Sequence, residues 1–185
     1  MKNFSIKVDG KEYWISRSVA CACFIFKEKE NNLYVLIEKR GKGAADFQNH
    51  WCCVCGYLDY DESCEDCAKR ECLEECGFKI DKHRLHLMNV NSSPSENHQN
   101  VTIHYVYFAD EEEEFNYNNV VGGEKDEVSE VKWYKIGKTF NNELKVNIYD
   151  MMSMDWAFEH EKRIIEHLSQ FYRLRYDEKE EKTKS

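Results

Sequence analysis

Residues 70 to 75 read RECLEE, which spaces Glu71, Glu74 and Glu75 at i, i+3 and i+4. In a helix that spacing sends all three carboxylates from one face. Glu71 and Glu75 are then like charges one turn apart, a pairing that costs about 0.2–0.5 kcal/mol when exposed and more when partly buried. Such a cluster asks for counter-charge. Hard divalent cations such as Mg²⁺ take carboxylate oxygens and keep several waters. Arg70 is a second counter-charge, able to pair with Glu74 at i+4 or to orient a carboxylate through a bidentate contact. The plainer reading is a solvated acidic face in a charge-rich chain. The flanking glycines, the Arg-Glu dipeptide and an upstream Glu62 weigh against it.

The surroundings support a helix. Asp61 or Ser63 suits the N-cap, and strong helix formers follow. The pattern predicts a helix from about residue 63 to about 76, ended by Gly77 in the left-handed conformation. The full run from 56 to 78, GYLDYDESCEDCAKRECLEECGF, fits G-x5-E-x7-R-E-U-x-E-E-x-G-U, where U is apolar. Gly56, Glu62, Arg70, Glu71, Glu74, Glu75, Gly77 and Phe78 all fall in place; Cys72 stands where a larger aliphatic is commoner. This run resembles the Nudix box, the signature of the Nudix hydrolases.

Composition sets outer bounds. A chain of 185 residues is enough for one domain with a sizeable core. Its net charge of −9 argues against nucleic acid as a partner. It leaves room for a phosphorylated small molecule, because bound metal inverts the local sign. No apolar stretch reaches membrane-spanning length. The segment MKNFSIKVDG has no apolar h-region, so the expected location is the cytoplasm. There are nine cysteines, and seven lie between 52 and 76. Cys64-x-x-Cys67 and Cys53-x-Cys55 suggest zinc. The competing reading puts Cys67, Ala68 and Cys72 on the core face of the helix, as small hydrophobes. Cys21 and Cys23 read as strand interior, and disulfides are not expected.

The elements that must position the box follow from turn signals and periodicity. FSIKV, Asp9-Gly10 and KEYWIS form a hairpin, placed at 1–16 as an extension. SVACACFIF and LYVLIEKR form a second strand pair, and 41–50 is a loop ending near Trp51. CCVCGYL is the strand that delivers Gly56 to the helix, where the backbone can approach a ligand closely. HLMNVN and VTIHYVYFAD are strands around a polar loop with Pro94, DEEEE at 110–114 is a solvated turn, and EVKWYKI is the last clear strand. Residues 155–173 carry the spacing of an amphipathic helix, and 177–185 form a disordered charged tail. The expected class is α/β: one domain over 1–176, an α-β-α sandwich on a mixed sheet.

The Nudix resemblance implies the same fold and extends over roughly residues 17 to 170. It implies cleavage of the diphosphate linkage in a nucleoside diphosphate joined to another moiety, with Mg²⁺ as cofactor and Mn²⁺ as a substitute. It implies that Glu71, Glu74 and Glu75 ligate metal, that Glu71 or Glu75 helps activate water, and that Arg70 orients them. Glu62 would support the loop or reach metal through water, and the backbone carbonyl of Cys55 would ligate metal. Many members carry Pro-Gly before the box glycine, where this chain has Val54-Cys55. The preferred catalytic base is Glu127, with Glu124 and Glu96 as alternatives. Gly56, Phe47, Trp51 and Pro94 are candidate substrate contacts. Pro94, 16 residues after Phe78, resembles the ADP-ribose pyrophosphatase branch, so an ADP-ribose-like substrate is the first expectation. Many relatives are homodimers. Two other readings stay open: a nucleotide sensor without turnover, and an isopentenyl diphosphate isomerase, because Trp51-Cys52-Cys53 is similar to a motif of that enzyme.

Overall fold

The computed structural model describes residues 3–96, 99–116 and 126–176. Two apolar runs around the turn Glu30-Asn31 form the central hairpin of β3 (Ser18–Lys29) and β4 (Asn32–Arg40). Both turn residues have positive φ, 51° and 57°, the twist that a two-residue hairpin needs. Later strands add β7 (His86–Asn91), β8 (Asn100–Ala109), β9 (Val128–Phe140), β10 (Glu143–Val146) and β11 (Arg173–Tyr176). The sheet order is β11-β10-β9-β4-β3-β8-β7. β3 with β8 and β10 with β11 are parallel; the other pairs are antiparallel, so the sheet is mixed. The expected CCVCGYL strand is split into β5 (Trp51–Cys52), paired with β4, and β6 (Val54–Tyr57), paired with β3.

Side-chain alternation along β3 builds two cores. Cys21, Cys23 and Ile25 face α1 (Cys64–Cys76), where they meet Cys67, Ala68, Cys72 and Cys76. Ala22, Phe24 and Phe26 face the other layer, with Met151 of α2 (Ile148–Met152) and Ile164 and Leu168 of α3 (His160–Leu168). That is the α-β-α sandwich. β1 (Phe4–Val8) and β2 (Lys11–Ile15) make the expected N-terminal hairpin as a separate two-stranded sheet. Among the described residues no helix is long and apolar enough to cross a membrane.

Three expectations need correction. EVKWYKI is not the last strand, since β10 and β11 extend the sheet beyond it. The helix expected over 155–173 is limited to His160–Leu168. Trp51 N–H donates to the Asp155 carbonyl (2.8 Å) and Ala157 N–H to the Trp51 carbonyl (2.9 Å). These bonds spend the 155–157 backbone on β5, and Phe158 and Glu159 then turn left-handed, with φ 59° and 56°. The DEEEE turn is only partly solvated. Glu113 accepts from the Tyr107 hydroxyl (2.8 Å) and Glu114 from Trp133 Nε1 (2.8 Å) and Lys27 Nζ (2.6 Å). The 177–185 tail and Glu124 lie outside the described residues.

Three histidines are buried under α3 around Phe24, at ring-centroid distances of 4.8 to 5.5 Å. His160 Nδ1 accepts the Cys53 N–H (3.0 Å), and His104 Nδ1 meets His167 Nε2 at 3.1 Å. Burial first, then neighbouring positive charge, pushes His104 down to about 4 and His160 to about 3. Both values lie below the ordinary 6.5. Neutral rings therefore contribute their full stability above pH 6.5, and it is lost as pH falls toward those values. Each ring should cost about 1.4 kcal/mol per pH unit in that window. His160→Asn keeps an acceptor for Cys53 and removes one titration, so its Tm should fall less than wild type's between pH 7 and 5. Equal falls in both proteins would refute this account.

Candidate active site

The helix of the box forms as its local chemistry dictates. Ser63 caps α1, its Oγ accepting from Asp66 N–H at 3.2 Å. Gly77 (φ 65°) ends it, with Phe78 N–H bonded to the Cys72 carbonyl (2.9 Å) and Gly77 N–H to the Leu73 carbonyl (3.0 Å). The Gly77 bond is the 5→1 closure of the left-handed cap. The buried face includes Cys67, Ala68, Cys72 and Cys76, but also Glu71 and Glu75.

Arg70 is the hub of the cluster. Its Nε and Nη2 grip both oxygens of Glu62 (3.1 and 2.7 Å), and its Nη1 donates to Glu71 Oε1 (2.7 Å) and Glu74 Oε2 (3.0 Å). Nη2 also donates to the Tyr57 carbonyl (2.9 Å). The planar fork explains why arginine stands here. Glu62 also accepts the Asp59 N–H (2.9 Å), so it fastens the loop ahead of the helix to Arg70. The bond from Arg70 holds its carboxyl below the ordinary range.

Gly56 is glycine for space. A Cβ there would lie 2.0 Å from Glu71 Oε1 and 2.1 Å from its Cδ. β6 thus lays its backbone directly against the Glu71 carboxylate. One residue earlier, Cys55 N–H donates to Glu75 Oε2 at 3.1 Å.

Glu75 has a partner that the box does not contain. Glu38 of β4 is fully buried, its carboxyl accepts from the thiols of Cys52 and Cys76, each at 3.4 Å, and it lies within electrostatic reach of Glu75. Like charges held near one another in the core repel, so burial and their mutual repulsion both favour the protonated forms. Burial raises Glu38 to about 7, and burial together with Glu38 raises Glu75 well above the carboxylate range. Glu71 is raised by burial and further by Glu74 and Glu127, against the lowering effect of Arg70. The signal for Glu38 was present as period-two alternation: Leu36, Glu38 and Arg40 share a strand face, and Leu36 belongs to the core beneath α1.

A raised carboxyl contributes stability below its unfolded value of 4.5 and loses it as pH rises through 7. That difference is worth on the order of 3 kcal/mol. In metal-free buffer Glu38→Gln should match wild type near pH 5 and exceed it in unfolding free energy by about that amount above pH 8. A difference that stays constant with pH would show that Glu38 is not the source.

The donor set suits a hard divalent cation. Glu71 and Glu75 are 9% exposed, Glu38 is 0% exposed, and all three bring oxygen donors whose charge is incompletely balanced by Arg70. Among the described residues no three acid, histidine or cysteine side chains yet enclose an ion-sized point. The Arg70 guanidinium lies between Glu71 and Glu74. All nine cysteines are free thiols. Burial holds Cys53, Cys72 and Cys76 well above the ordinary thiol range, which suits core packing.

The remaining candidates are spread more widely. Glu127 lies just before β9, within electrostatic reach of Glu71, and its carbonyl is bonded by Gly41 N–H at 2.5 Å. Glu96 is drawn away to Arg163 of α3 and to Asn91 (2.7 Å). Pro94 is exposed in the β7–β8 turn; that turn leads to Asn100, which meets the Tyr57 hydroxyl (3.1 Å) at the far end of β6. Trp51 is 9% exposed, with the Lys132 ammonium 3.7 Å above its ring, so packing already occupies it. Phe47 is 45% exposed. A surface cavity of about 550 Å³, lined by Glu30, Asn31, Lys135, Lys138 and Phe140, lies at the β3–β4 turn, the opposite end of β4 from Glu38.

Comparison with known proteins agrees with this layout. Residues 16–153 match the family model described as the NUDIX domain. A search of curated protein sequences returns no match. Among solved structures, a MutT/nudix family protein from Enterococcus faecalis aligns with 21% identity and a TM-score of 0.66, over 85% of this chain and 63% of that one. The NUDIX domain of Shewanella oneidensis NrtR, complexed with ADP ribose, aligns with 19% identity and a TM-score of 0.64, over 84% and 89%. A bifunctional NMN adenylyltransferase/ADP ribose pyrophosphatase from Francisella tularensis, complexed with AMP and a Mn ion, gives 16% and 0.60, over 84% and 42%. This chain thus spans less than two thirds of the Enterococcus and Francisella chains. At such identities the structures speak to the fold, whereas the family match covers most of the chain. With the box helix, its arginine hub and the family model in agreement, the chain belongs to the NUDIX domain family.

Proposed function

We propose that this protein is a metal-dependent hydrolase that cleaves the diphosphate linkage of a nucleoside diphosphate joined to another moiety, with ADP-ribose as the first substrate to test. One observation carries the reading: three buried carboxyls, Glu38, Glu71 and Glu75, of which Arg70 pairs only with Glu71; a protein core holds their ionised forms together only with pairing or coordination. Glu71, Glu74 and Glu75 would hold Mg²⁺, or Mn²⁺ in its place, with the Cys55 carbonyl as a further donor. A bound divalent cation polarises phosphoryl oxygens and acidifies water.

The chain's own residues do the rest. Arg70 fixes the rotamers of Glu71 and Glu74 and ties them to Glu62. Gly56 lets the β6 backbone lie against Glu71. Cys55 N–H holds the Glu75 carboxylate. Glu127, within electrostatic reach of Glu71, would take the proton of the attacking water. The ADP-ribose choice draws on the relatives, one complexed with ADP ribose and another named a pyrophosphatase for it. NrtR is also known in complex with a 27mer DNA; the net charge of −9 weighs against that partner here. Cys52 and Cys53 are fully buried, so neither is placed for the isomerase chemistry.

The test is a screen of ADP-ribose, nucleotide sugars, dinucleoside polyphosphates, NADH, coenzyme A and nucleoside triphosphates with Mg²⁺ and with Mn²⁺. Product analysis shows which bond breaks. Turnover of a diphosphate-linked substrate, abolished by chelation, is expected. Absence of turnover across the whole panel would overturn the reading.

A further inference from the structure

One face of the outer sheet is basic in a chain that is otherwise acidic. The strands β9, β10 and β11 put Ile136, Leu144, Val146 and Leu174 into the core with α2 and α3. Their opposite side carries Lys135, Lys138, Lys145, Arg173 and Arg175, all exposed. α1, which packs on β3 and β6, leaves that side open to solvent.

A bulge gathers the cations. Lys135 and Lys138 are three residues apart, a spacing that sends side chains to opposite faces of a regular strand. Here the register with β4 passes from Gly137 opposite Leu33 to Lys135 opposite Tyr34, so Ile136 is an extra residue. Ile136 goes to the core beside Leu33, and Lys138 comes back to the side of Lys135. Gly137 lets β10 close in, since a Cβ there would lie 2.0 Å from the Lys145 carbonyl oxygen. Lys138 is then directly opposite Lys145, and Lys145 is opposite Arg175. Three cations line up across three adjacent strands, about 5 Å from one strand to the next. Like charges placed directly opposite disfavour strand pairing.

Little negative charge answers them. Glu143 accepts from Arg175 Nη2 at 3.2 Å and lies 3.7 Å from Arg173 Nη1, so one carboxylate serves two arginines. Among the described residues Lys135 and Lys138 make no ion pair. Both line the surface cavity of about 550 Å³, together with Phe140, 74% exposed, and a single carboxylate, Glu30. Five cations against two carboxylates reverse, in this place, the sign of a chain whose net charge is −9. The volume is that of a small-ligand site. The cavity reaches Asn32, and Glu38 lies roughly 20 Å further along β4.

We propose that this basic face binds a linear oligophosphate, at a site separate from the carboxylate cluster and independent of the proposed hydrolysis. Ammonium and guanidinium groups are the side chains that hold phosphate. A chain of three or more linked phosphates brings several charges to a row of several cations, and the cavity has room for it. Inorganic tripolyphosphate and a nucleoside triphosphate share that chemistry, and the exposed Phe140 ring is where they would differ.

The test is calorimetry on the full chain in EDTA, where no metal draws phosphate to Glu71 and Glu75. Tripolyphosphate should bind. Lys135→Gln combined with Lys138→Gln should weaken it about tenfold, the scale of two exposed ion pairs. Lys7→Gln combined with Lys11→Gln removes the same charge from the N-terminal hairpin and should leave the affinity unchanged. All four lysines are exposed, so the melts of both double variants should match wild type. ATP that binds like tripolyphosphate supports a site that reads the phosphate chain alone. ATP that binds more tightly, with the excess lost in Phe140→Leu, supports the same site with a nucleoside-linked ligand. Absence of tripolyphosphate binding overturns the proposal, and so does equal weakening by the two double variants. Oligothymidylate or oligoglutamate bound through Lys135 and Lys138, with no binding of tripolyphosphate, would assign the face to a macromolecule and also overturn it.

Discussion

Glu75→Gln is expected to lower the metal-dependent hydrolysis rate by roughly a thousandfold, within the range seen when a group that acts on the reacting water or its metal is removed. The substitution is nearly isosteric. Its amide oxygen can still accept the Cys55 N–H that Glu75 Oε2 accepts at 3.1 Å. It also removes one half of the Glu38–Glu75 carboxyl pair, whose charge is costly to bury. Stability should therefore hold or rise while the rate collapses, a split that a merely structural residue would not produce. Single-turnover kinetics with Mn²⁺ and a thermal melt of the same preparation measure both quantities. Activity within tenfold of wild type would remove Glu75 from the mechanism. The variant also separates an enzyme from a sensor, because a sensor without turnover would keep metal-independent nucleotide binding.

Gly56→Ala should be nearly as damaging, for a different reason. No positive φ explains this glycine; the Glu71 carboxylate occupies the space a Cβ would need, 2.0 Å from Oε1 and 2.6 Å from Oε2. Contacts that short require movement. The β6 backbone is held by its register with β3, where Gly56 faces Cys21, so Glu71 is the group that must move. Moving it breaks its 2.7 Å bond to Arg70 and withdraws a proposed metal ligand. The expected result is a loss of about a hundredfold in rate, the upper end for disturbing the shell around a metal, with a weaker dependence on Mg²⁺ concentration. The melting temperature should change little, because a side-chain end shifts and the strand does not. A large drop in Tm with an unchanged specific activity of the folded fraction would contradict this.

Much of this was legible in order along the chain. The box helix and its Gly77 stop are set by contacts within six residues and can be read from spacing, which offered Asp61 or Ser63 as the cap; the structure selects Ser63. The hairpin turn at Asp9-Gly10 is local in the same way. Strand alternation placed Cys21 and Cys23 in the interior. The terminal helix was read too long because apolar spacing cannot report that β5 would claim the 155–157 backbone. β10 and β11 were missed because four-residue strands carry little periodicity; β10 pairs β9 across the Asn141-Asn142 turn, and β11 joins β10 from about thirty residues further on.

By itself the sequence determined that three glutamates would share a helix face and that an arginine would stand among them, since helical geometry depends on neighbours alone. It also determined the family. What only the tertiary structure decided is which groups from elsewhere press on that face. Glu38 reaches Glu75 because β4 passes beneath α1. Gly56 meets Glu71 because β6 is locked to β3. Sheet pairing joins residues whose separation along the chain carries no trace of their contact, so the charge balance and the shape of the site emerge only when the sheet closes.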